Sequence, residues 1–242
     1  MNVIIVEHAN PAWSNRSLIG RLIRVLHFLK GTTFVAVSSH LNIWPTTLKP
    51  SAVTLNIIPA SEITVDKHGN AAQINRLVYI GRLAEIQKRP SWLIGISSQL
   101  NIPVLFIGDG AELERLKAYA VTRKVTAQFV GHQLDPWKFI SIDDLVVVPS
   151  SFEGDGLVVI EAIARGIPVI LSDIPDFRRF RLNTNFYAAT EKDFVLRIIE
   201  GNRQTTNFLV KDSDRARILA GRDKQSVVTS WEKIFHQLGE KK

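Results

Sequence analysis

One stretch of the chain, residues 145–173, constrains the fold more than any other. It reads LVVVPSSFEGDGLVVIEAIARGIPVILSD. The apolar, β-branched run Leu145–Val148 predicts a buried strand, and a glycine-rich loop then leads into a helix over about 157–165. Gly166 suits the position after the last helical turn, and 167–171 is a second apolar strand. Because a helix that joins two apolar strands makes them parallel neighbours, the stretch predicts an α/β sheet that binds ligands at its carboxyl edge.

Two carboxylates flank the start of the predicted helix. Glu153 precedes the Gly154-Asp155-Gly156 loop, and Glu161 is the only polar residue in mid-helix. Unpaired main-chain N–H groups and the positive end of the helix dipole favour a phosphate group there, at the amides of residues 154–157. A carboxylate one turn inside the helix can accept hydrogen bonds from both hydroxyls of a ribose. The pattern therefore favours a nucleotide site.

Composition excludes several other classes of protein. The 242 residues are 45% hydrophobic and 22% charged, as in an ordinary globular protein. Cysteine is absent, which excludes disulfides and thiolate metal sites. No apolar run approaches the roughly 20 residues of a membrane-spanning helix, and residues 1–6 lack the features of a signal peptide. The net charge of +7 indicates an anionic partner. A cytoplasmic location is expected.

The spacing of Glu153 and Glu161, with seven residues between them and Gly166 and Pro168 after them, resembles the E-x7-E signature of a large glycosyltransferase family. This is the retaining, family-4 type with the GT-B fold. The resemblance implies a nucleoside diphosphate sugar as donor, most commonly a UDP-sugar, with no metal and no cofactor. It places Glu161 on the ribose and Glu153 beside the donor sugar. The diphosphate would lie against the amides of Gly154, Asp155, Gly156 and Leu157.

Further residues fit the same family. Gly81 and Arg82 follow the predicted strand 77–80, with Lys88 six residues beyond Arg82. Two fixed cations can neutralise a leaving diphosphate where a metal would otherwise be needed.

Two other loops carry the resemblance. Gly108 and Gly110 match a glycine loop that lines the donor site in the family. His8, after the first strand, matches a histidine that faces the reaction centre.

Three positions depart from the family's pattern. Asp155 stands where an aromatic residue is usual, and a carboxylate beside a pyrophosphate is unfavourable unless it turns away or caps the helix. Arg89 replaces a glycine after Lys88. Residues 58–61 read Ile-Pro-Ala-Ser, without the usual Asn-Gly turn.

The resemblance also sets the expected domains. Residues 1–58 would be a remnant of an N-terminal acceptor domain, 59–75 a linker and 76–222 the nucleotide-sugar domain. A C-terminal helix over 223–242 would cross back to the N-terminal part. The expected fold is a Rossmann-like parallel sheet, the C-terminal half of GT-B, joined to an incomplete Rossmann-like part that lacks strands at its N-terminus and exposes apolar surface.

Other interpretations of single segments stay weaker. Residues 17–29 could be a basic helix at a membrane interface, although their wide apolar coverage favours a buried helix. The Phe-Arg-Arg-Phe-Arg segment 177–181 could stack on bases, but it has no counterpart elsewhere, so no nucleic-acid partner is expected. Asp212-Ser213-Asp214 is formally a metal-binding D-x-D, yet it opens a polar helix, where acids favour the N-terminal dipole.

Paired glutamates also occur as the acid and base of glycosidases, whose carboxyl groups lie about 5 to 9.5 Å apart. Eight helical residues would span about 12 Å, so transfer is favoured. The expected function is transfer of a sugar, with retention, to a glycan or lipid-linked acceptor in cell-envelope polysaccharide synthesis. Peripheral contact with the inner face of the cytoplasmic membrane would accompany it. The alternative is a truncated, non-catalytic remnant that binds nucleotide sugars.

Overall fold

Parallel strand pairing organises the chain in its computed structural model. The structure describes residues 3–8, 18–30, 32–38, 41, 52–59, 73–141, 143–201 and 203–239. The strands in chain order are β1 Ile4–Glu7, β2 Thr33–Ala36, β3 Ala52–Val53, β4 Arg76–Ile80, β5 Val104–Ile107, β6 Ala127–Phe129, β7 Asp144–Val148, β8 Val169–Ser172 and β9 Tyr187–Ala188. The α-helices are α1 Leu18–Leu29, α2 Glu85–Lys88, α3 Ser91–Leu100, α4 Leu113–Thr122, α5 Leu157–Ala164, α6 Pro175–Arg178, α7 Glu191–Glu200, α8 Asp212–Leu219 and α9 Lys224–Gly239.

The chain divides into two units. Unit 1 comprises Met1–Ser61, Phe152–Leu157 and Leu219–Lys242, and unit 2 comprises Glu62–Ser151 and Val158–Ile218. Most of the predicted linker, 60–72, lies outside the described residues.

Unit 2 contains a six-stranded sheet in the order β6-β5-β4-β7-β8-β9, in which every pair of neighbours is parallel. The chain builds outward from β4 to β6 and then returns to the other side of β4 with β7. The strand order therefore reverses between β4 and β7, where open α/β sheets bind their ligands. Strands β5, β7 and β8 are buried along their whole length. The predicted Rossmann-like parallel sheet is confirmed.

An apolar core fills unit 2. Helix α3 contributes Leu93, Ile94, Ile96 and Leu100 to it, and the rings of Phe106 and Phe129 stack with their centroids 4.7 Å apart. The predicted strand Leu145–Val148 agrees with β7 to one residue, because its apolar, β-branched run is a strong local signal.

Unit 1 contains a parallel sheet in the order β1-β2-β3. A buried apolar cluster in it contains Ala36, Val37 and Leu41, with Val6 packed against them, and Phe34, Val35 and Ile58 are also buried. Helix α9 buries Val227 and Ile234, and the hydroxyl of Ser230 donates to the carbonyl oxygen of Val53 at 3.4 Å.

The prediction that residues 17–29 form a buried helix is wrong. Helix α1 forms, but Leu18 is 82% exposed, Ile19 73% and Leu29 73%. The sheet of unit 1 has strands of four, four and two residues, so it offers little surface on which a helix could bury its apolar side chains.

Candidate functional site

A cleft of about 420 Å³ opens at the carboxyl edge of the six-stranded sheet. Four strands supply its walls through the residues at or after their carboxyl ends, and all of these residues belong to unit 2. The lining residues are Ile80, Gly81 and Arg82 after β4, Ile107, Gly108 and Asp109 after β5, His132, Gln133 and Pro136 after β6, and Val158 and Glu161 of α5 after β7. The cleft lies where the strand order reverses.

Glycine is required in the floor of this cleft. A Cβ atom on Gly108 would lie 1.9 Å from the carbonyl oxygen of Gly81, and one on Gly110 would lie 2.4 Å from that of Leu83. Both glycines also have positive φ angles, 144° and 158°, which side chains disfavour. The loops after β4 and β5 therefore pack main chain against main chain and leave space for a ligand. Gly81 and Gly108 line the cleft, and Gly110 packs against the main chain of Leu83.

Arg82 is exposed at the mouth of the cleft, and its guanidinium donates to the amide oxygen of Gln87 at 3.1 Å. The hydroxyl of Tyr79 donates to the carbonyl oxygen of Arg82 at 2.7 Å, which fixes the main chain after β4. Lys88, the other predicted cation, ends α2 and does not line the cleft. Arg89, which replaces the family's glycine, adopts the left-handed conformation (φ 47°) that glycine favours.

The carboxylate of Glu161 has a partner that the sequence did not suggest. The indole Nε1 of Trp137 donates to Glu161 Oε2 at 3.0 Å. The guanidinium of Arg165 lies 4.6 Å from the centroid of the Trp137 ring and donates to the carbonyl oxygen of Glu161 at 3.2 Å. Trp137 belongs to a short 3₁₀ helix, Pro136–Phe139, that follows the loop lining the cleft. No local pattern marks a tryptophan 24 residues away as a partner of this carboxylate.

The remaining predicted site residues belong to unit 1. His8 follows β1 and is exposed, and Glu153 is buried. Within the buried loop Gly154–Gly156, the carboxylate of Asp155 accepts two hydrogen bonds from Arg222, at 2.7 and 2.8 Å, and one from the amide of Asn56 at 2.7 Å. The negative charge of Asp155 is thus neutralised by the guanidinium of Arg222.

Arg222 connects this loop to the segment around Ile58 within unit 1. Its side chain and that of Asp155 are only 3% and 2% exposed, and its carbonyl oxygen accepts from the amide of Ile58 at 2.9 Å. No local pattern indicates this pair, because 67 residues separate its members.

The aromatic and basic segment 177–181 has a structural role. Phe177 and Phe180 are buried, and the guanidinium of Arg178 binds both carboxylate oxygens of Asp173. The hydrogen bonds from Arg178 hold the pKa of Asp173 below its usual value. The rings are therefore not available for stacking on bases.

The formal D-x-D element lies in the first turn of α8. Asp212 pairs with Arg215 and Asp214 with Arg217, each three residues further along the helix. Across the described residues, no three His, Cys, Asp or Glu side chains form a group that could hold a metal ion. In the same part of the chain, no helix has both the length and the apolar character needed to cross a membrane.

Fold and cleft together define a class: a parallel Rossmann-like sheet with a glycine-floored cleft at its switch point, as in GT-B glycosyltransferases. The chain also matches the family described as Glycosyl transferases group 1 over residues 61–185, more than half of its length. It belongs to that family.

Individual proteins show the same likeness. Lipopolysaccharide 1,6-galactosyltransferase of Escherichia coli (strain K12) is 32% identical over 127 residues, 49% of this chain and 33% of that protein. The O-antigen biosynthesis glycosyltransferase WclY of Escherichia coli is 36% identical over 84 residues, 34% of this chain and 24% of that protein. The pneumococcal O-GlcNAc transferase GtfA, solved in complex with UDP and GlcNAc, superposes with a TM-score of 0.69 at 18% identity, over 98% of this chain and 52% of that chain. The chain thus spans a third or less of the length of these two curated relatives.

Proposed function

We propose that the cleft of unit 2 binds the nucleoside diphosphate part of a nucleotide sugar. The observation that carries this proposal is that the guanidinium of Arg82 and the carboxylate of Glu161 line the same glycine-floored cleft at the switch point of the sheet. A carboxylate is an acceptor for ribose hydroxyls, and a guanidinium is a bidentate donor for phosphate oxygens. The chemistry of the cleft therefore suits both ends of the ligand.

The reaction is transfer of the sugar to a glycan or lipid-linked acceptor, with retention and without a metal. In this proposal Arg82 and Lys88 neutralise the leaving diphosphate, and the family resemblance assigns diphosphate binding to the main-chain amides of residues 154–157 as well. Neutralisation of Asp155 by Arg222 supports the second part, because it removes the charge that would repel a phosphate from that loop. His8 and Glu153 are assigned to the reaction centre by the family resemblance.

Similar proteins support the proposed substrates. One relative is a lipopolysaccharide galactosyltransferase and another serves O-antigen biosynthesis, which favours an acceptor from cell-envelope polysaccharide. UDP is bound in the GtfA complex, which favours a UDP-sugar donor. A cytoplasmic location with contact to the inner face of the membrane is part of the proposal, and the charge of +7 and the exposed apolar side chains of α1 support it.

Calorimetric titration with UDP, GDP and ADP and their sugar derivatives tests donor binding. We expect Glu161→Gln and Arg82→Met each to weaken binding about tenfold or more, because each removes a charged hydrogen-bonding partner of the ligand. The matched controls are Glu114→Gln, at an exposed position in α4, and Arg123→Met, at the exposed residue that follows α4. Both should leave the affinity unchanged. If no nucleotide gives heat, or if neither cleft variant weakens binding, the proposal is wrong.

Turnover is measured separately, with a radiolabelled UDP-sugar and extracted envelope glycans or lipid-linked acceptors. Transfer that persists in EDTA and keeps the anomeric configuration, read by NMR, is the expected result. Donor binding without any transfer would instead support the non-catalytic, nucleotide-sugar-binding alternative.

A further inference from the structure

A half-buried indole is bonded to the carboxylate that is proposed to meet the ribose. The hydrogen bond from Trp137 Nε1 to Glu161 Oε2 is 3.0 Å long and joins side chains 24 residues apart. An indole N–H only donates and an ionised carboxylate only accepts, so the direction of this hydrogen bond is unambiguous. Hydrogen bonds to charged acceptors are stronger than neutral ones. Trp137 therefore restrains one oxygen of Glu161 in the wall of the cleft.

The ring of Trp137 is itself held in place by the same helical turn. Arg165 lies four residues after Glu161, and its guanidinium is 4.6 Å from the ring centroid, within the range of a cation–π interaction. The same guanidinium donates to the carbonyl oxygen of Glu161 at 3.2 Å. The indole thus contacts Glu161 at its edge and Arg165 on its face. Both contacts fix the orientation from which its N–H donates.

We propose that Trp137 is the positioning residue of Glu161 and that it thereby determines the preference of the cleft for ribonucleotides over 2′-deoxyribonucleotides. This inference rests on the proposed function. A glutamate has several rotatable bonds, and ordering its side chain on binding costs free energy. Because Trp137 already fixes one carboxylate oxygen, less ordering is needed when a ribose diol binds. A site that presents a fixed acceptor to a hydroxyl discriminates strongly against the analogue that lacks the hydroxyl.

The test compares UDP, GDP and ADP with their 2′-deoxy counterparts by calorimetric titration of the full chain. Trp137→Phe keeps an aromatic ring beneath Arg165 and removes the N–H donor together with the five-membered part of the indole. We expect it to weaken ribonucleotide binding about tenfold and deoxyribonucleotide binding much less, so that the ratio of the two affinities falls severalfold. Arg165→Gln, which frees the ring, should shift the ratio in the same direction by a smaller factor. Glu161→Gln should bring the ratio close to one.

Trp92→Phe is the matched control, because Trp92 also lies under an arginine, Arg89 at 4.7 Å, but packs against Phe194 in the core. It should leave the ratio unchanged. Equal losses of affinity for ribonucleotides and deoxyribonucleotides in Trp137→Phe would mean that the residue acts only on the fold. Unchanged affinities for both would mean that it does not act on Glu161. Either result overturns the inference. Nucleotide binding by the wild-type chain that is weakened in Glu161→Gln would still support the proposed function. Absence of nucleotide binding in the wild-type chain overturns both.

Discussion

Helices α1 and α3 have similarly apolar sequences and opposite environments. In α3, Leu93 and Ile94 are fully buried in the core of unit 2. In α1, Leu22 is 61% exposed, and Leu18 and Leu29 are more so. Among the residues that the structure describes, the sheet of unit 2 has six strands and that of unit 1 has three. Apolar patterning therefore predicts which side chains favour burial, whereas the size of the neighbouring sheet determines whether they are buried.

The interiors of the two units differ in kind as well as in size. Unit 2 is held by a continuous apolar core around Leu77, Phe106 and Leu145. Unit 1 has the small cluster around Val37 and a buried ion pair, Asp155–Arg222. An apolar core tolerates the loss of one contact in proportion to its volume, but removing one member of a buried pair leaves an unpaired charge. The Asp155–Arg222 pair should thus contribute strongly to the stability of unit 1.

The largest expected effect comes from breaking that pair. Arg222→Met should lower the free energy of unfolding of unit 1 by about 3–5 kcal/mol, because it leaves the Asp155 carboxylate buried without its cation. Hydrogen exchange of the peptide 52–59 measures this locally, since the amide of Thr54 bonds to Ala36 in β2. The double variant Asp155→Asn/Arg222→Met should recover much of the loss, because no unpaired charge remains.

Arg178→Met supplies the control for this experiment. It breaks an ion pair with Asp173 whose side chains are 44% and 32% exposed, and exposed pairs contribute about 1 kcal/mol or less. A loss in Arg222→Met no larger than in Arg178→Met would show that unit 1 does not depend on its buried pair.

A second pair of variants acts directly on the two helices. Leu93→Ala in α3 should lower the free energy of unfolding of unit 2 by about 2–5 kcal/mol, because it leaves a cavity in a core with no exposed surface. Leu22→Glu in α1 should change stability by at most about 0.5 kcal/mol, the usual range for surface positions. Urea denaturation measures both.

The same α1 variant separates the proposed membrane contact from mere exposure. Leu22→Glu should reduce co-sedimentation with anionic vesicles, since it removes apolar area and adds a negative charge. A large loss of stability in Leu22→Glu would contradict the exposed environment of α1, and unchanged vesicle binding would contradict the membrane contact.

Local patterns in the sequence predict the strands, the helices and the loops at the strand ends. The apolar run Leu145–Val148 predicts β7 to within one residue, and the helix predicted over about 157–165 is α5. Gly108, Arg82 and Glu161 line one cleft at the carboxyl edge of the sheet, because each follows the end of a parallel strand. Parallel strands bring such loops together whatever lies between them in sequence. The roles assigned to these residues remain predictions.

What the sequence could not predict depends on contacts between distant segments. Trp137 reaches Glu161 from a short 3₁₀ helix, and Arg222 reaches Asp155 across 67 residues. Neither pair has a spacing that a helix or strand would impose. The burial of α1 was predicted wrongly for a related reason: periodicity describes one helix, whereas burial depends on the surface that faces it.

The smallest expected effect concerns the carboxylate of Glu191, which packs on α3 beside Gly95. A Cβ atom on Gly95 would lie 2.1 Å from Glu191 Oε1, so the glycine lets this carboxylate pack directly on the helix, where Gln99 donates to it at 3.3 Å. Burial raises the pKa of Glu191, and Arg123 and Gln99 only partly oppose the rise. The folded state therefore holds the proton more tightly than the unfolded state, and the stability contributed by this group is lost as the pH rises through the raised pKa.

Glu191→Gln should raise the thermal midpoint relative to the wild type at pH 7, by the equivalent of about 0.5 kcal/mol or less, and the difference should shrink toward pH 4. Glu200→Gln, at the exposed end of the same helix, is the control, and a difference for Glu191→Gln that grows on acidification would show that the carboxylate stabilises the contact with α3 in its charged form.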